Sequence, residues 1–69
     1  MPDGAGDAGV LLAMIAELPE RQRQALQLVK IGEMSLAEAS AASGQTTGAL
    51  KVNVHRALKA LRLRLGRAP

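Results

Sequence analysis

Neither cysteine nor any Phe, Trp or Tyr occurs among the 69 residues. Without thiols there can be no disulfide framework and no thiolate zinc site, which fits a reducing, cytoplasmic setting. Without aromatics the core has to be assembled from Leu, Ile, Val, Met and Ala, and a domain this small rarely nets more than about 3–5 kcal/mol. Long apolar runs are missing too. The longest, Val10 to Ala16, falls well short of the roughly 18–20 residues of a membrane span. It also lacks the basic flank and cleavage site of a signal peptide. A soluble chain forming one compact unit is expected, because a core this small cannot be divided between two domains.

Acidic residues are missing from one end. Met1 to Gly44 holds three basic and six acidic residues, whereas Gln45 to Pro69 holds six basic and no acidic ones. The net charge of +3 is therefore concentrated at the C-terminus, and a polyanionic partner is one explanation of such a bias.

The pattern along the chain is helical. Residues 1–9 are Gly, Asp, Ala and Pro with one Met, a composition that buries too little apolar surface to offset its ordering entropy, and they are expected to form a flexible tail or linker. From Val10 to Leu18, the spacing of Leu11, Ile15 and Leu18, widened by Leu12 and Met14, predicts a short first helix. Pro19 interrupts it and suits the first turn of a second. That second helix carries Ala25, Leu26 and Val29 inward and Arg21, Gln22, Arg23, Gln24 and Lys30 outward, and it is expected to end at Gly32. Ser35 with Glu38 three residues on forms a capping box, which starts a third helix over Leu36 to Ser43. Gly44 can end that helix in the left-handed conformation, and Thr46 or Thr47 can cap the next after a turn of a few residues.

The fourth helix runs from about Thr47 to Leu65. At about 100° per residue, Leu50, Val54, Ala57, Leu58, Leu61 and Leu65 fall on one face. Opposite lie Gly48, Val52, His55, Arg56 and Lys59, bordered by Lys51 and Arg62. The expected fold is thus all-α, a compact four-helix domain over residues 10–69 with a C-terminal helix-turn-helix. In such a motif the second helix enters the major groove N-terminus first. Ser40, four residues before Gly44, lets the two helices approach, and Leu50, six after it, pins the second helix to the core.

The basic face supplies the candidate DNA-binding residues: Thr46, Thr47, Gly48, Lys51, Val52, His55, Arg56 and Lys59. Lys51 can pair with guanine O6 and N7 or with a phosphate. Arg56, Lys59 and Arg62 lie further along, where phosphates are the expected partners, although a solvated face would look the same. Val52 is either an ordinary exposed valine or a contact for a thymine methyl. Thr46 and Thr47 are helix caps first and phosphate contacts second. His55 stands with no cysteine and with no carboxylate one helical turn away, so a groove-edge hydrogen bond suits it better than a metal. No serine, histidine and base arrangement points to catalysis, and no cofactor motif occurs.

Three blocks resemble region 4 of bacterial extracytoplasmic-function sigma factors: Leu18-Pro19-Glu20-Arg21-Gln22-Arg23, Ser35-Leu36-Ala37-Glu38-Ala39, and the ten residues from Leu50 to Lys59. The resemblance covers roughly Val10 to Arg64. It departs at Gly32-Glu33, where relatives commonly have Glu-Gly, at Gly48, and at Asn53, which often aligns with a basic residue. It implies a promoter-recognition domain that reads the minus-35 element and docks on the β flap of core RNA polymerase, with an anti-sigma factor as a further partner. Leu11, Leu12, Met14 and Ile15 exceed what one short helix buries; the surplus serves either the core or such a docking surface. The other domain that sigma factors of this group carry is not in these residues, so the resemblance implies an excised part of a longer factor. Two other functions fit similar features: a sigma-like domain that binds an anti-sigma factor without DNA, and the output domain of a response regulator.

Overall fold

In the computed structural model the backbone is described over residues 3–66 and the side chains over residues 9–66. Four helical elements follow one another without a strand among the described residues: α1 (Asp3–Ala16), α2 (Glu20–Ala25) with a π-helical continuation (Leu26–Ile31), α3 (Leu36–Ser43) and α4 (Thr47–Gly66). The all-α, four-helix reading stands.

The first helix starts earlier than its apolar spacing predicts. Residues 3–9, expected as a tail, form the first half of α1; Met1 and Pro2 lie outside the described residues. Pro19, extended at φ −53° and ψ 146°, breaks the chain between α1 and α2 and precedes the first helical residue, Glu20. Its carbonyl still accepts from Arg23 N at 2.8 Å, which closes the first turn.

The second half of α2 is wound more loosely than the α-helix that the spacing suggests. Gly32 N donates to Gln27 O at 2.7 Å, five residues back, and Met34 N to Leu28 O at 3.0 Å, six back. The element ends after Ile31 with Gly32 as its cap, as expected, but Gly32 keeps a right-handed φ of −81° and the left-handed residue is Glu33 at φ +56°. A Cβ on Gly32 would stand 3.0 Å from Leu28 O and 3.1 Å from Gln27 O. A side chain on Gly32 would thus crowd two carbonyls, which would have to give by a few tenths of an ångström, and the strained conformation falls on its neighbour.

Two apolar clusters make the core. Ile15 of α1, Leu26 of the π-helical turn, and Ala57 and Leu61 of α4 form one; Ala25, Ala39, Leu50 and Val54 join α2, α3 and α4 in the other. Leu58, half-buried, packs against both. Leu50 is the largest side chain removed completely from solvent. The predicted stripe of α4 is therefore correct except at its end: Leu65 has the right phase but is 57% exposed, because the helix has by then run past the buried core. Leu11 and Leu12, expected to face inward, are exposed, and among the described side chains of α1 Ile15 alone is buried. An exposed ion pair between Glu17 and Arg64 ties the ends of α1 and α4, an interaction worth at most about 1 kcal/mol.

Candidate nucleic-acid interface

The turn before α4 is set by three local devices. Both halves of the capping box on α3 are made: Glu38 N donates to Ser35 Oγ at 3.0 Å, and Ser35 N to Glu38 Oε1 at 2.9 Å. Gly44 ends α3 at φ +80°, with its N–H donating to Ser40 O at 2.9 Å. Thr46, not Thr47, is the cap of α4, its Oγ1 accepting from Ala49 N at 3.0 Å. Three residues thus separate one helix from the next, and α4 packs on both α2 and α3.

Burial of Leu50, Val54, Ala57 and Leu61 turns one side of α4 to the core and hence sets which side it shows to solvent. Thr46, Thr47, Gly48, Lys51, Val52, His55, Arg56 and Lys59 are all exposed, as is Arg62. The structure brings them together on one side of a single helix. Among the described residues the ion pairs are Glu20–Arg23 and Glu17–Arg64, so Lys51, Arg56, Lys59 and Arg62 have no carboxylate within bonding distance. Four uncompensated cations on one helical face make a strip of positive potential. Val52, 47% exposed, stands within it. A Cβ on Gly48 would meet nothing, so no intramolecular contact demands a glycine there.

Grooves flank this strip. Lys51 and His55 edge a shallow one of about 330 Å³ floored by Val29, Leu36, Val54 and Leu58. A second, of about 380 Å³, lies between α1 and the end of α4 and includes Leu11, Ile31, Leu61 and Leu65.

Sequence reasoning missed Gln45. It is 7% exposed, and its amide bonds to α2 and to Asn53 of α4. A polar residue in a turn ordinarily faces water, and nothing in the spacing distinguishes this one. No group of three or more His, Cys, Asp or Glu that could hold a metal occurs among the described residues, and no helix there is long and apolar enough to cross a membrane.

Comparison with known proteins agrees with this geometry. Residues 8–61 match the family described as Sigma-70, region 4. Over 71 aligned residues the chain is 49% identical to the ECF RNA polymerase sigma factor SigF of Caulobacter vibrioides (strain NA1000 / CB15N). The alignment takes in 99% of this chain but 40% of that protein, so the chain spans well under half of its relative's length. No solved structure matches the chain.

Proposed function

The chain belongs to the sigma-70 region 4 family and is a promoter-recognition domain of the sigma-factor type, and from that premise we propose that α4 enters the major groove of the minus-35 element. The observation that carries this reading is the acid-free, exposed face of α4 from Lys51 to Arg62, held outward by burial of the opposite face. Lys51, Val52 and His55, in the first turns of the helix, face base edges. Arg56, Lys59 and Arg62 follow the phosphates as the helix leaves the groove. Thr46 and Thr47 present a helix N-terminus, favourable for a phosphate. Gly48 removes the side chain where the backbone comes closest to DNA.

Docking on the β flap of core polymerase is assigned to the apolar groove between α1 and α4, where Leu11, Ile31 and Leu65 are 40–57% exposed. Leucines left in water at this density are a feature of interaction surfaces. An anti-sigma factor would compete for the same groove. A decoy that binds only protein would have no use for four uncompensated cations on α4, and their retention favours DNA.

Single-base variants of a bound duplex test the assignment. Lys51→Ala should cost about 1–3 kcal/mol and relax preference at one base pair, while Lys59→Ala should weaken every sequence alike. Uniform loss with Lys51→Ala would move that residue to a phosphate, and no loss with either variant would remove α4 from the DNA.

A further inference from the structure

Gln45 is the polar side chain that the domain buries, and each end of its amide is committed. Nε2 donates to Arg21 O at 3.1 Å and, more weakly, to Gln24 Oε1 at 3.4 Å. Oε1 accepts from Asn53 Nδ2 at 2.7 Å. The order of these bonds is forced. A main-chain carbonyl only accepts, so the Gln45 amide must turn its nitrogen to Arg21, which leaves its oxygen for α4 and requires Asn53 to present its NH₂. Asn53 is half-buried, and the helical phase places it roughly 160° around α4 from His55 and from Lys51. It is thus turned away from Lys51 and His55, at the edge of the basic face where base edges are read, and lies about 60° from Arg56 on the phosphate side.

Such a chain differs from apolar packing in what it specifies. Leucines and alanines hold helices together while tolerating small rotations, whereas a buried amide chain is satisfied only near one set of distances. A rotation of α4 by roughly 20° would move a point about 6 Å from its axis by about 2 Å. That would break the 2.7 Å bond and would also displace any side chain reading a base edge.

We propose that Gln45 and Asn53 are positioning residues, which lock the rotation of α4 to the backbone of α2 and so set which base edges Lys51, Val52 and His55 meet. Asn53 acts through Gln45 and without reading a base itself. The inference rests on α4 being the recognition helix. It also accounts for a polar residue in the core of a domain with little core to spare, where an apolar side chain of the same size would pack as well.

The test uses the full chain with Gln45→Met and Asn53→Ala, singly and together, and a pool of duplexes randomised over roughly ten base pairs, one helical turn. The wild-type chain selects the preferred duplex. The quantity read is the ratio of affinities between that duplex and its single-base variants, which partial unfolding leaves unchanged because it lowers all affinities alike. Helical circular dichroism should persist in Gln45→Met, whose side chain has nearly the same volume. Each single variant should lower the ratio at the contacted base pairs by roughly fivefold or more, with the salt dependence of binding unchanged and the double variant no worse than the poorer single one. A folded Gln45→Met with wild-type ratios would overturn the proposal. So would losses that multiply in the double variant, since Asn53 would then contact a base itself. If Gln45→Met loses its helicity, Asn53→Ala decides alone, because it leaves the buried amide in place and wild-type ratios there would also refute the lock. A wild-type chain that selects no sequence removes the recognition-helix reading and this inference with it, an outcome distinct from selection retained in the variants.

Discussion

From Ser35 to Leu50 every boundary is closed by a hydrogen bond that one side chain or one glycine provides, whereas among the described side chains of α1 (Asp3–Ala16) one buried residue, Ile15, and the half-buried Met14 beside it join the core. The two sides use similar residues to different ends. On the helix-turn-helix side, a capping box, a left-handed glycine and a threonine cap fix where each helix stops, and burial of Leu50 sets which side of α4 faces the core. On the α1 side, Val10, Leu11 and Leu12 remain 40–63% exposed, and the neighbouring turn is π-wound and ends on a strained glutamate. One half is specified by local devices in its own sequence; the other leaves apolar surface exposed.

Leu50→Ala is the most severe way to break the contrast. Loss of a buried leucine costs about 2–5 kcal/mol, the whole of what a core of this size is expected to hold, so the variant should lose helical circular dichroism and its cooperative thermal transition at 25 °C. Leu12→Ala, 63% exposed in the wild type, should stay within about 0.5 kcal/mol. Equal losses in the two variants would show that the α1 side contributes as much core as α4 does.

Gly44→Ala comes next. Space is not the obstacle, because a Cβ there would meet nothing within 4 Å; the φ of +80° is, and it should cost roughly 1–2 kcal/mol in chemical denaturation. A neutral result would mean that the turn is not held in its left-handed form.

The smallest effect has the opposite sign. Glu33→Gly relieves a left-handed strain of about 1–2 kcal/mol and gives back about 0.4–1 kcal/mol through the greater freedom of the unfolded chain, for a net gain between about 0 and 1.6 kcal/mol. A rise in the denaturation midpoint without a change in its slope would register it, and a fall would show that Glu33 makes a contact beyond its own backbone.

The same contrast decides what could be read from sequence. Helix α3, its capping box, Gly44 and the phase of α4 were legible because each depends on residues within about four positions of one another. Residues further apart were not. Leu65 carries the right phase, but whether anything covers it depends on how far α1 and the π-helical turn reach. Gly32 does cap the element after Ile31, as its local pattern suggests; what that pattern does not show is the π winding, made by bonds five and six residues apart, or that the left-handed residue is its neighbour Glu33. Gln45 is buried through bonds to residues 21, 24 and 53, and no local pattern announces a contact across 24 positions. The exposed basic face, by contrast, needed only charge counting and helical phase.

Salt dependence of binding to duplex DNA tests the central claim, that the face of α4 from Lys51 to Arg62 lies along DNA. With about four to five phosphates neutralised and a slope near −0.9 for each, log affinity should fall against log salt with a slope of roughly −4. Titration of the chain with a fluorescent duplex over a range of salt concentrations gives that slope directly. A value near −4 that drops in magnitude by about one unit in Lys59→Ala is what the arrangement predicts; a slope near zero would mean that the basic face does not meet the phosphate backbone.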